Sequence, residues 1–212
     1  MKRLVLLSDW KQPLHDGGEE KISKLIGKSA PVLGYIPSQT DPERRYFQPM
    51  KRNFERIGVT SYVYMDVDQE FDPCLLSELE KCDAIFLSGG NTFHFLACLQ
   101  KRDMLEWLRS YVENGGVLIG LSAGAMVMAS SIEIAELVDA KYVHTSTLDN
   151  NEALNLVDFH FYPHWQGTAE ETQAVHQFAQ PVIACEDGGG IIIDGSYMEH
   201  FGKTTTLNYT KK

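Results

Sequence analysis

Ser122 lies within Gly120-Leu121-Ser122-Ala123-Gly124, after the apolar run Gly116-Val117-Leu118-Ile119 and before a run of small residues from Ala123 to Ala129. The order is buried strand, sharp turn and helix, with a hydroxyl at the apex. This is the nucleophile-elbow pattern, in which a serine is pushed into the open on a strained turn. Such a turn leaves no space for Cβ atoms beside the serine, which explains glycine on both flanks. The helix N-terminus adds free N–H groups and a positive dipole end that favour developing negative charge. The same pentapeptide also fits a plain N-cap serine. The strand before it and the helix after it favour the elbow.

A second glycine turn, Ser88-Gly89-Gly90-Asn91-Thr92, follows the apolar run 84–87. Glycines at the end of a parallel strand let backbone N–H groups approach a ligand closely. Two chemistries compete with a plain strand-to-helix turn. One is a phosphate cradle, which lacks both a Gly-Lys-Ser/Thr and a third glycine at dinucleotide spacing. The other is an oxyanion hole, in which a loop N–H partners the N–H of Ala123 after the serine. A serine nucleophile also needs a base. The chain has seven histidines: His15, His94, His144, His160, His164, His176 and His200. His164 stands out in Phe159-His160-Phe161-Tyr162-Pro163-His164-Trp165, because Pro163 ends the strand and leaves His164 at its mouth. A histidine packed by aromatic neighbours is the structural alternative. A metal on His160 and His164 is disfavoured, since four residues of strand span roughly 13 Å.

These pieces need a scaffold. Apolar runs at 4–7, 31–36, 84–87 and 117–119 predict strands buried on both faces, and 59–67 is rich in β-branched and aromatic residues. Helical spacing predicts helices over 20–26, 44–57, 73–81, near 93 onward, 105–112 and 170–178. Strand and helix alternate up to residue 130, which argues a parallel sheet with helices on both faces. After that, 182–185, 190–194, 197–201 and 204–209 predict an antiparallel meander at one end of the sheet. No linker or repeat divides the 212 residues, so one domain is expected.

Composition narrows the partners. A net charge of −10 argues against nucleic acid or an anionic membrane as the main partner. Cys74, Cys82, Cys98 and Cys185 lack C-x-x-C spacing and read as inert thiols in a reducing compartment, not as a disulfide frame or zinc site. The first apolar run is too short for a signal peptide, and no stretch approaches the roughly 20 apolar residues of a membrane span. A cytoplasmic protein without cofactor or metal is expected. Oligomeric state is left open, a homo-oligomer included.

Three segments taken together, Gly89-Gly90-Asn91-Thr92-Phe93, Gly120-Leu121-Ser122-Ala123-Gly124-Ala125, and Asn155-Leu156 followed by Pro163-His164, resemble the peptidase E (alpha-aspartyl dipeptidase) family of serine peptidases, which includes cyanophycinase. The resemblance runs through most of the chain, including the Asp41 region and the late Glu186-Asp187-Gly188 turn. It implies a flavodoxin-like, doubly wound α/β fold akin to class I glutamine amidotransferase domains. It implies Ser122 as nucleophile, His164 as base, and the N–H groups of Gly90 and Ala123 as the oxyanion hole. The substrate class it implies is small peptides, cleaved through an acyl-enzyme.

The sequence departs from the family pattern twice. The resemblance implies an acid between serine and histidine, some fifteen to eighteen residues after the serine, where this chain holds Leu137 with Glu133, Glu136 and Asp139 around it. Glu136 is the first choice for this role, Asp139 the second, with Glu133 also nearby. The family's basic residues for a substrate aspartate are expected after the histidine. The stretch Gln166-Gly167-Thr168-Ala169-Glu170-Glu171-Thr172-Gln173 has no Arg or Lys. A buried carboxylate without a cation is costly, so the aspartyl preference is not carried over, and a neutral or basic peptide or another acyl compound is open. An esterase or amidase would use the same groups. A non-catalytic small-molecule binder on this fold is the alternative from another class, and a flavodoxin-type nucleotide module is disfavoured by the missing phosphate loop.

Overall fold

The computed structural model describes residues 1–139, 148 and 150–208. Ten strands and eight α-helices are assigned among them. The strands are β1 (Arg3–Leu7), β2 (Val32–Ile36), β3 (Ser61–Tyr64), β4 (Ala84–Leu87), β5 (Val117–Leu121), β6 (His160–Tyr162), β7 (Val182–Cys185), β8 (Gly190–Asp194), β9 (Tyr197–Phe201) and β10 (Thr204–Leu207). The helices are α1 (Gly18–Ile26), α2 (Phe47–Arg56), α3 (Leu76–Leu79), α4 (Thr92–Lys101), α5 (Met104–Glu113), α6 (Ala123–Met126), α7 (Ala135–Val138) and α8 (Ala169–Val175).

Seven strands form one sheet in the order β3-β2-β4-β5-β1-β8-β9. The first five run parallel, and β8 and β9 add antiparallel at the β1 edge. β4 and β5, and β1 after Arg3, are apolar at every position because both faces are covered. Leu4 and Leu6 of β1, Ile85 and Leu87 of β4, and Leu118 of β5 enter one core with α4 and α5. Val5 and Leu7, Ala84 and Phe86, and Val117 and Ile119 enter the opposite core with α1 and α2. Strand alternation therefore feeds two cores at once. The architecture is mixed α/β with a large, mostly parallel central sheet, as expected.

The meander forms only in part. β8 and β9 pair as a hairpin in the main sheet. β7 instead joins a separate three-stranded sheet in the order β10-β7-β6, parallel to β6 and antiparallel to β10. The physical reason is burial. β7 is buried along its whole length, and an apolar run without alternation does not specify which partner covers it. The last residue of the expected strand 204–209, Tyr209, lies outside the described residues. No helix among the described residues is long and apolar enough to cross a membrane.

Candidate active site

Parallel strands present their carboxyl ends at one edge of a sheet, and the crevice outside those ends is where such folds bind ligands. Here β4, β5 and β1 are neighbours in register, with Leu87 opposite Gly120 and Leu7 opposite Leu121. Ser88-Gly89-Gly90, Ser122 and Ser8 follow these strands directly, so three loops meet at one point.

Ser122 sits at the apex of the β5–α6 turn with φ 49° and ψ −107°. Non-glycine residues rarely occupy that region, and the strain persists only where the surroundings impose it. They do so here. The N–H of Ser122 donates to the carbonyl of Leu7 at 2.8 Å, and its carbonyl accepts from Ala125 and Met126 at 2.9 Å each. The two motif glycines permit close approach. A Cβ on Gly120 would lie 2.3 Å from the Gly124 carbonyl oxygen, and one on Gly124 would lie 2.1 Å from that of Leu87.

His164 arrives from the second sheet. β6 and β7 are parallel neighbours, and the N–H of Trp165 donates to the Cys185 carbonyl at 3.1 Å. His164 follows the end of β6 by two residues, and Asp187 follows the end of β7 by the same interval. The pairing brings them together. Ser122 Oγ lies 2.9 Å from His164 Nε2, and His164 Nδ1 lies 2.6 Å from Asp187 Oδ1. Ser8 completes the arrangement: its Oγ accepts the His164 N–H at 2.7 Å and donates to Asp187 Oδ1 at 3.1 Å. Ser8 is fully buried, whereas the His164 and Asp187 side chains are 39% and 52% exposed. The support is therefore rigid and internal, while the imidazole faces the crevice.

The acid at His164 is thus Asp187, which corrects the expectation of Glu136. Glu136 is exposed on the short helix α7. Asp139 is engaged with Thr92, accepting from Oγ1 at 2.5 Å and from the N–H at 3.3 Å, at the start of α4. Glu133 is exposed, and its charge acts on His160. Burial against Phe178 holds His160 below the ordinary imidazole value. The signal for Asp187 is slight, an acid just past a strand end and before Gly188, and it follows the histidine in the chain. Ser8 carried no signal beyond its place after β1.

Gly89 packs against the elbow, since a Cβ there would lie 3.6 Å from Ser122 Cβ. Ala123 opens α6, so its N–H has no acceptor within the helix. Gly90, Ser122 and His164 line two adjoining cavities. One, of about 460 Å³, is walled by Ser38, Gln39, Asp41, Asn91 and Asp139. The other, of about 650 Å³, is walled by Trp10, Tyr35, Met50 and Phe86 with Lys11, Arg52 and Arg56. These cations come from α2 and the β1 loop, not from the stretch after His164. Lys11 pairs with Asp9 at 3.0 Å and Arg56 with Glu19. Arg52 has no ion-pair partner among the described residues.

Comparison with known proteins bears on this geometry. The sequence profile of peptidase family S51 matches residues 4–201. The chain is 30% identical over 178 residues to "Peptidase E" of Nostoc sp., covering 77% of this chain and 66% of that protein. It is 32% identical over 169 residues to "Uncharacterized peptidase Lin0382" of Listeria innocua, covering 78% and 77%. Among solved structures, a Listeria monocytogenes EGD-e protein described as a candidate peptidase E superposes with a TM-score of 0.78 at 25% identity, covering 98% of this chain and 99% of that one. A peptidase from an acI-B1 Actinobacterium shares the fold, with a TM-score of 0.73 at 16% identity over 100% and 96% of the two chains.

Proposed function

The chain belongs to peptidase family S51, and from that premise we propose that it is a serine-type peptidase that hydrolyses small peptides through an acyl-enzyme. The observation that carries the reading is the unbroken line from Ser122 Oγ to His164 Nε2 and from His164 Nδ1 to Asp187. His164 takes the hydroxyl proton as the oxygen attacks the peptide carbonyl, then returns it to the leaving amine. Asp187 accepts from Nδ1–H, which fixes the useful tautomer and stabilises the imidazolium. The N–H groups of Ala123 and Gly90 receive the oxyanion, and losing one such donor costs about 10²–10³ in turnover. Water then releases the acyl group by the same steps in reverse.

Small peptides suit the cavities on either side of Ser122, whose volumes fall in the usual range for small-ligand sites. The aspartyl preference stays out of the proposal. Arg52 is exposed, and an exposed ion pair contributes only about 0–1 kcal/mol. The fold reading extends to a flavodoxin-like scaffold akin to class I glutamine amidotransferase domains, with the elbow serine where those domains carry cysteine. A cytoplasmic setting suits four free thiols.

A panel of dipeptides with neutral, basic and acidic first residues, assayed with wild type and Ser122→Ala, tests the reading. Wild type cleaves at least one class, a fluorophosphonate labels Ser122, and the variant loses both label and at least about 10³ in kcat/KM. Equal turnover in the variant overturns it.

A further inference from the structure

Outside this proton relay, α4 carries His94 and Cys98 one turn apart on the same face. The loop after β3 brings Asp68 to them. Asp68 Oδ2 lies 3.1 Å from His94 Nε2, and Cys98 Sγ lies 3.5 Å from the same nitrogen. The three donor atoms all fall within 4.8 Å of one another. Bonds of about 2.0–2.3 Å at tetrahedral angles put neighbouring donors about 3.3–3.6 Å apart, close to the 3.1 and 3.5 Å from His94 Nε2 to the other two donors.

Charge around the group is one-sided. Asp66 is buried, at 4% exposure. Its Oδ1 accepts the Asp68 N–H at 2.6 Å, while its Oδ2 is buried with no hydrogen-bond partner. Arg102 is the nearby cation, but its Nη2 and Nε donate to the carbonyls of Asp68 and Val67, not to carboxylates. A His94–Asp68 ion pair alone would explain one of the contacts. The Cys98 thiol is within hydrogen-bond reach of Asp68 as well as of that nitrogen, so three ligand-type side chains converge on one point, and the buried Asp66 oxygen nearby is unsatisfied where such atoms are normally paired.

We propose that Asp68, His94 and Cys98 form a tetrahedral site for a zinc-class divalent cation, with the fourth position open to water beside the partly exposed Asp68 and His94. Carboxylate, imidazole and thiolate together suit a borderline-soft metal such as zinc better than magnesium or calcium. Binding releases the Cys98 proton to solvent, because a coordinated thiol is deprotonated. The site takes no part in the proton relay, and its existence does not depend on the peptidase reading. Its place gives it a role. Asp68 Oδ2 also accepts the Thr40 N–H at 3.4 Å, and Ser38, Gln39, Asp41 and Asn91 around that loop and the start of α4 line the smaller cavity. A cation here ties the β3 loop, the loop after β2 and α4 into one cavity wall.

Cobalt(II) is the probe. The full chain is stripped with a chelator and titrated with Co²⁺ under reducing conditions. Wild type takes up one equivalent, with thiolate-to-cobalt absorption and tetrahedral visible bands that Zn²⁺ displaces. Cys98→Ser loses the thiolate band, and His94→Gln weakens uptake at least about tenfold, both with wild-type circular dichroism. Zn²⁺ raises the Tm of wild type but not of Asp68→Asn, a partly exposed position that keeps the test open if Cys98→Ser misfolds. Absence of the bands in wild type, or bands unchanged in His94→Gln, overturns the proposal and leaves a hydrogen-bonded ion pair with a neighbouring thiol.

Discussion

Asp187 Oδ1 is approached from two sides, by His164 Nδ1 and by Ser8 Oγ. The two contacts predict different losses. Asp187→Asn keeps the shape but removes the charge, and its amide favours the wrong imidazole tautomer, so kcat is expected to fall about 10²–10⁴. Glu136→Gln, at the exposed position of α7, is expected to stay within about twofold of wild type. Steady-state kinetics on both variants checks this, and a reversed ranking would return the acid to Glu136. Ser8→Ala acts differently. It strips the His164 N–H of its acceptor and the half-exposed Asp187 carboxylate of one of its donors. The expected result is a kcat lower by about tenfold to a hundredfold with KM near wild type, because the Ser8 hydroxyl is turned to His164 and Asp187 and acts through them. A change in KM alone would contradict the positioning role.

The elements that hold these residues share one feature: each ends at the same crevice. One backbone-to-backbone contact there is between α6 and β4, where a Cβ on Gly124 would overlap the Leu87 carbonyl. Backbone cannot rotate away as a side chain can. Gly124→Ala is therefore expected to destabilise by about 1–3 kcal/mol, as overpacking does, and to lower turnover by displacing Ser122. Urea unfolding and kinetics on the same preparation test the pair of effects, and an unchanged midpoint would show that β4 yields freely. The same contrast governs what was legible from sequence. β4 was read at 84–87, because four apolar residues ending in Ser88-Gly89-Gly90 mark a strand by local chemistry alone. The elbow was read because glycine, serine and glycine each answer a local steric demand. Asp187 was not, because its meeting with His164 depends on β6 pairing parallel to β7 across some twenty residues of chain, and nothing within Val182–Cys185 names that partner. The sheet that β10 joins is illegible for the same reason, while β8 and β9 pair as neighbours in the meander that their ranges predict.

Burial of both sheet faces has a consequence for the molecule as a whole. Groups that must stay neutral lie among the apolar residues. Burial pushes the Cys82 thiol up to about 11 and, with the Asp187 and Glu186 charges adding to it, Cys185 to about 12. Burial likewise raises Tyr62 and Tyr162 to about 12, and Tyr35 and Tyr111 higher still. In the unfolded chain these thiols ionise near 9 and these phenols near 10. Above those values the unfolded state sheds protons that the folded state retains, so stability falls as pH rises. The contribution is complete below pH 9 and is lost progressively towards 11–12, as the folded groups finally ionise. The urea midpoint is accordingly expected to hold between about pH 7 and 8.5 and to drop steadily above 9. A net charge of −10 offers a rival cause, since self-repulsion also grows with pH. Salt separates the two. At 1 M ionic strength the Debye length is about 3 Å, which suppresses long-range repulsion but leaves the ionisation of buried groups intact. The alkaline loss should therefore persist in high salt and flatten in Cys185→Ala, even though that variant starts from a lower midpoint. A midpoint that becomes independent of pH in 1 M salt would assign the loss to net charge and not to the buried thiols and phenols.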